Sequence, residues 1–370
     1  MRIEFIKCHG SGNDFALVDG RALRLSDDDW EGVAVALSNR EGPVGSDGLL
    51  LLTPGSDGHD FGMRMWNPDG SEAEACLNGL RCAARLGMDS AAFMTARIRL
   101  QKSSAEVARI DDMAPGVATI REEVGPADLQ LSYWPMNIGQ DELVEEATDR
   151  LPSPRAFTAI AMPNPHLIAF VEQVDDGELS EIGTFCEHRP RVLPNRANVS
   201  FVEQLSPTAL FVRTFERGVG LTNACGSAMA ASTYAACLTD RVEYDTRVTV
   251  VNAGGRVIAT ADGGGMVTLE GNATFEWRGA IEVDTAREET VGPLEIIERW
   301  PAEVEAWAAV TAMAPPAREA LPTRFSEAQA EDGDDGEVAT GTTAKPRGLV
   351  DWGGFSAVTP GTMARKERGE

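Results

Sequence analysis

The chain has 370 residues, 43% hydrophobic and 25% charged, with 33 basic against 58 acidic side chains and a net charge of -25. That length supports two domains with hydrophobic cores, and a field this negative argues against nucleic acid or anionic membranes as partners. No stretch approaches the ~18–20 apolar residues of a membrane span, and Met1 to Val18 carries Lys7, Asp14 and glycines in place of a leader's apolar run, so the expected location is the cytoplasm.

Residues 1–123 read as one α/β unit. Ile3 to Ile6 and Phe15 to Val18 are strands around a glycine turn at Gly10 to Gly12. Asp27 to Asn39 is a helix, because Trp30, Val33, Ala34 and Leu37 fall at helical spacing and Ser26 can cap it. Leu49 to Leu52 and Met63 to Trp66 are strands, and Leu77 to Met88 is an apolar, buried helix. Residues 124–271 repeat the theme: Phe157 to Met162, Leu167 to Val171, Val199 to Val202 and Leu210 to Phe215 are strands, and Gly226 to Leu238 is an alanine-rich helix. A meander follows, with strands at Arg247 to Val251, Val257 to Thr260 and Met266 to Glu270. Leu294 to Met313 reads as one extra amphipathic helix within 284–314, stopped by Pro315-Pro316. The acidic segment and the Gly, Thr, Pro and Ala around it make 315–370 a disordered tail, in which Trp352 and Phe355 are isolated and read as inert.

The two halves echo each other at one place. Glu74-Ala75-Cys76-Leu77-Asn78-Gly79 opens one helix and Asn223-Ala224-Cys225-Gly226-Ser227 opens the other. A thiol at a helix N-terminus sits at the positive end of the dipole, which predicts a pKa lowered from ~8.5 toward ~7 or below. Cys8, Cys82, Cys186 and Cys237 lack this setting and read as structural. The six cysteines are dispersed with no C-x-x-C pair, so reduced thiols are expected, and the four histidines form no zinc motif. Nucleophilic catalysis needs one cysteine. Two thiols on opposite faces of a carbon suit removal of a proton on one side and its delivery on the other. The unpaired N–H groups of Leu77, Asn78, Gly79, Gly226 and Ser227 offer a carboxylate site. No lysine has a convincing Schiff-base context and no dinucleotide fingerprint occurs, so no cofactor is expected.

The chain resembles the diaminopimelate epimerases, PLP-independent members of the two-cysteine racemase and epimerase class. The resemblance runs from residue 2 to about 283. It rests on six blocks in the family's order: His9-Gly10-Ser11-Gly12-Asn13-Asp14-Phe15, Gly45-Ser46-Asp47-Gly48, Asn67 through Cys82, Asn164-Pro165-His166, Asn198-Val199, and Glu216-Arg217-Gly218 through Ser227. It implies two similar α/β domains, each a central helix wrapped by mostly antiparallel strands, with the site in the cleft between them and a last strand near 272–283 returning to the first domain. It implies that Cys76 and Cys225 are the acid–base pair and that His166 and Glu216 tune them. It also implies that Asn13, Asn67, Leu77, Asn78, Asn164, Asn198, Glu216, Arg217, Gly226 and Ser227 hold an amino-acid substrate. A homodimer is implied as well.

Three positions depart from the family pattern. Leu77 stands where glycine is usual, Leu221 where glutamate is usual, and Pro163 where glycine usually precedes Asn164. The expected reaction is epimerisation of LL-diaminopimelate to the meso form, which serves lysine and cell-wall synthesis. Two alternatives stay open: a racemase of another amino acid such as histidine on the same scaffold, and a non-catalytic binding protein whose tail recruits partners.

Overall fold

A computed structural model describes residues 1–73 and 76–313. The expectation for 315–370 lies outside those residues. The first half runs β1 (Arg2–Gly10), β2 (Asn13–Asp19), α1 (Asp27–Ser38), β3 (Leu49–Pro54), β4 (Phe61–Trp66), β5 (Glu72–Ala73), α2 (Leu77–Ala91), β6 (Thr95–Arg99), β7 (Ser104–Ile110) and β8 (Thr119–Val124). The second runs β9 (Thr158–Ala161), β10 (Pro165–Phe170), α3 (Asp176–Glu187), β11 (Asn198–Ser206), β12 (Ala209–Glu216), β13 (Gly220–Thr222), α4 (Gly226–Leu238), β14 (Val248–Asn252), β15 (Gly255–Ala261) and β16 (Val267–Asn272). Then come β17 (Thr274–Asp284), β18 (Glu289–Arg299) and α5 (Pro301–Ala312).

The halves share one topology. In each, an antiparallel pair (β1–β2, β9–β10) leads through a helix to a strand parallel to its predecessor (β3 on β2, β11 on β10). Two antiparallel steps follow, then the central helix, then a strand parallel to β4 or β12, then two more antiparallel strands. Each central helix lies in its own core: Leu80, Cys82, Ala83, Ala84 and Met88 of α2 in one, and Met229, Ala230, Ala231, Ala235 and Ala236 of α4 in the other. The mixed α/β class, with strands wrapped around central helices, is as the sequence predicts. β16 pairs antiparallel with β8, and β17 pairs along β1 from Arg2↔Glu282 to His9↔Thr274, so the sheet network passes from one half to the other.

Local signals placed several elements well. Ser26 accepts from the Asp29 N–H while Asp29 accepts from the Ser26 N–H, a reciprocal cap that starts α1. Ala92, with φ 55°, ends α2 three residues past the expected Met88. The single helix expected over Leu294 to Met313 is not formed. Residues 289–299 are a strand paired with β17, and the Trp300 N–H bonds to the Glu276 carbonyl, which carries the pairing up to Pro301. Pro301 then opens α5, where its fixed φ fits and its missing N–H costs nothing. No helix among the described residues is long and apolar enough to cross a membrane.

Candidate active site

Cys76 and Cys225 are the N-cap residues of α2 and α4, both with extended backbone (φ −145°, ψ 112° and φ −119°, ψ 111°). The two helix starts abut. A Cβ on Gly226 would lie 2.7 Å from Leu77 Cβ, and the Asn78 side-chain amide donates to the Ala224 carbonyl at 3.2 Å, one residue before Cys225. Leu77 packs against both cores.

The thiols have different surroundings. The Gly79 N–H donates to Cys76 Sγ at 3.4 Å, and that thiol lies 3.7 Å from Asn13 Oδ1. Cys225 Sγ is 3.5 Å from Ser227 Oγ. The acidity expected of helix-start cysteines is not met. Burial pushes the Cys76 thiol up to about 12 against the Gly79 hydrogen bond, and the Glu216 charge adds to the rise. Burial, and next the Glu216 charge, hold Cys225 well above the ordinary thiol range, against hydrogen bonds from Ser227 and the Ala228 N–H. Desolvation of the anion outweighs the one or two N–H donors that a cap provides. Glu216 therefore acts on both sulfurs. Its own carboxyl is raised, by burial first, although Thr222 and Cys225 hydrogen-bond to it.

A buried polar chain ties the two helix starts to the β1–β2 turn. Arg81, one turn into α2 and fully buried, donates to Glu122 Oε1 at 2.6 Å, Asn78 Oδ1 at 2.7 Å, Ser11 Oγ at 3.2 Å and the Asn272 carbonyl at 3.1 Å. Burial raises Glu122 to about 7 in opposition to Arg81. Gly10 lets this turn approach, since a Cβ there would meet the Asn78 carbonyl oxygen at 2.5 Å. Asn13 is aimed by Asp47, which accepts from its amide at 2.7 Å, and Asp47 is paired with Arg40. Asp47, Arg81 and Glu122 were not singled out from sequence; Asp47 and Arg81 lie inside the quoted blocks, whereas Glu122 gave no local signal.

The remaining candidates divide. His166 on β10 is fully buried, with Nε2 2.9 Å from Asn164 Oδ1 and Nδ1 without a protein partner. Burial, with a contribution from the Arg217 charge, holds it down at about 3, so it is a neutral imidazole. Asn198 stands opposite it in register and accepts from the Arg217 N–H at 3.0 Å, while its own buried Nδ2 has no partner. Arg217 also donates to the Asn195 carbonyl at 3.3 Å. Asn67 is engaged in its own turn, where its amide donates to Ser71 Oγ at 3.0 Å. Leu221 is exposed, opposite Phe215 on the β12–β13 hairpin. The structure thus gathers Asn13, Cys76, Leu77, Asn78, Glu216, Cys225, Gly226 and Ser227. It places His166 and Asn198 side by side at the starts of β10 and β11, with Asn164 just before β10 and Arg217 just after β12, as a second group.

The model of the diaminopimelate epimerase family matches residues 5–128 and 158–276. The chain belongs to the diaminopimelate epimerase family. The diaminopimelate epimerase of Clostridium acetobutylicum is 37% identical over 290 residues, covering 77% of this chain and 87% of that protein. The diaminopimelate epimerase of Listeria monocytogenes is 38% identical over 303 residues, covering 78% and 92%. Among solved structures, a hydroxyproline epimerase from Agrobacterium vitis with bound trans-4-hydroxy-L-proline aligns at TM-score 0.56 and 13% identity, covering 85% of this chain and 98% of its own. A phenazine biosynthesis protein of the PhzF family from Bacillus anthracis aligns at TM-score 0.56 and 14% identity, covering 76% and 100%. At such identities these two show the fold of this chain alone.

Proposed function

We propose that this protein interconverts LL- and meso-diaminopimelate, with Cys76 and Cys225 as the two acid–base groups. The carrying observation is that the two cysteines are the N-cap residues of helices that abut through Leu77 and Gly226. One sulfur as thiolate takes the α-proton, and the other as thiol returns a proton to the opposite face. The roles exchange in the reverse direction.

With both thiols raised, the site without substrate is neutral at its sulfurs. An α-ammonium placed beside them supplies the opposite charge that favours one thiolate. The N–H groups at the starts of α2 and α4, with Asn78 and Ser227, hold the α-carboxylate and stabilise charge spreading from the α-carbon. Asn13 holds the Cys76 side. Arg217, Asn198, Asn164 and Asn67 recognise the distal end, and His166 orients Asn164. Glu216 biases the proton on Cys225. Domain one comprises 1–123 with the strand near 272–283, and domain two comprises 124–271. We assign the protein to the cytoplasm and to a homodimer.

The test is incubation with LL-diaminopimelate in D₂O, beside L-histidine and L-proline, with reductant, following loss of the α-proton by NMR. Exchange with diaminopimelate, cut at least about a hundredfold by either Cys76→Ser or Cys225→Ser, is the expected result. Exchange only with another amino acid replaces the substrate. Near-normal turnover in both serine variants sinks the two-thiol mechanism.

A further inference from the structure

The family match ends at residue 276, yet the chain continues through β18 and α5. α5 makes contacts to both halves. On the first half, Arg85 of α2 grips Glu303 with two hydrogen bonds, at 2.6 and 2.8 Å, and the Phe275 N–H donates to the same carboxylate at 3.2 Å. Trp307 and Val310 are buried in a small cluster with Val117. On the second half, Arg256 of β15 donates to the carbonyls of Val310 at 3.2 Å and Met313 at 3.1 Å, closing the helix's C-terminal end.

Trp307 itself touches both. Its indole lies 5.8 Å, centroid to centroid, from the His9 ring on β1, and its Cζ2 sits 2.4 Å from where a Cβ on Gly255 would be. Immediately beside it the β1–β2 and β14–β15 turns meet. A Cβ on Gly254 would fall 2.1 Å from the Ser11 carbonyl oxygen, and one on Gly12 (φ 78°) would fall 2.9 Å from the Gly254 carbonyl oxygen. The first turn leads directly into Asn13, whose Oδ1 faces Cys76 Sγ. The second is tied by the Gly254 N–H to the Asn223 carbonyl, two residues before Cys225.

We propose that β18–α5 is a strap across the two halves and that Trp307 is a positioning residue. It clamps the two turns together and so sets Asn13 and the Cys225 segment relative to each other. The consequence for turnover rests on the two-thiol reading above. The contact between the turns does not.

The experiment uses the full chain with Trp307→Ala, Trp307→Phe and, on the exposed face of α5, Val304→Ala as control. Turnover of LL-diaminopimelate is measured beside iodoacetamide labelling of each cysteine, mapped by mass spectrometry. For Trp307→Ala we expect kcat to fall about tenfold with KM changing less than about threefold, because a small displacement of the site penalises chemistry more than binding. Labelling of Cys76 and Cys225 should quicken at least about threefold, while Cys237, buried in the second core, keeps its rate. Trp307→Phe should restore most of the loss. Wild-type kcat and labelling in folded Trp307→Ala would overturn the proposal. So would quickening of Cys237 in step with Cys76, which marks general loosening. If Trp307→Ala does not fold, Glu303→Gln, which removes the charge held by Arg85, carries the same test. Labelling needs no turnover, so the strap is judged even if the chain acts on another amino acid.

Discussion

Gly226→Ala is a one-methyl perturbation of the place where the two thiol-bearing helices meet. The new Cβ would stand 2.7 Å from Leu77 Cβ and 3.2 Å from Leu77 Cδ1. Carbon atoms at rest sit ~3.5–4.0 Å apart, so the helix starts must part by about 1 Å or Leu77 must leave its site between the cores. In an open helix the change would stabilise by about 0.8 kcal/mol. Here overpacking costs ~1–3 kcal/mol, and the net effect is a modestly lower Tm. Catalysis suffers more, because moving one thiol by about 1 Å relative to the other costs up to ~10²-fold in kcat. Leu77→Gly in the same chain removes the obstructing atoms, so the double variant should regain most of the lost kcat. Leu77→Gly alone should lose ~1–2 kcal/mol of stability for its half-buried side chain. The assay is steady-state kcat and KM for LL-diaminopimelate, with thermal unfolding of the four proteins. A Gly226→Ala protein within about twofold of wild type, or a double variant no better than Gly226→Ala, would refute the reasoning.

Two further outcomes follow from the electrostatics. Glu216→Gln removes a negative charge that raises both thiols, so more thiolate is present at a given pH, and iodoacetamide should modify Cys225 faster at pH 8; slower labelling would contradict the role given to Glu216. The second concerns stability. Burial holds His9 at about 4 and His166 at about 3, below the ordinary 6.5 of an unfolded histidine. Between those values the unfolded chain binds more protons than the folded one, so stability is fully present above pH 6.5 and is lost as pH falls toward 4. The His9 shift corresponds to about 3 kcal/mol. Urea unfolding across pH 4–7.5 should show this fall, and His9→Gln should flatten it. A wild-type protein that gains stability on acidification through this window would show the histidines are not held neutral.

What the sequence determined by itself is what neighbouring residues decide. Ser26 and Asp29 mark the start of α1 because a capping box closes within three residues. Gly226 to Leu238 is α4 to the residue because an alanine-rich run with no proline or internal glycine follows the Cys225 cap. The matched cysteine-headed helix starts were legible for the same reason, and with them both thiols. Contacts between distant residues were not legible. Residues 294–299 carry enough apolar side chains to read as helix, and only the edge of β17 made them a strand. Arg81 finds Glu122 across 41 residues, and Trp307 finds His9 and Gly255 by way of the whole second half. The sign of the thiol shifts was decided the same way. A helix N-terminus is visible in sequence and favours thiolate, but the depth to which two packed halves bury the sulfurs is a tertiary property. Removing a thiolate from water costs more than the cap returns.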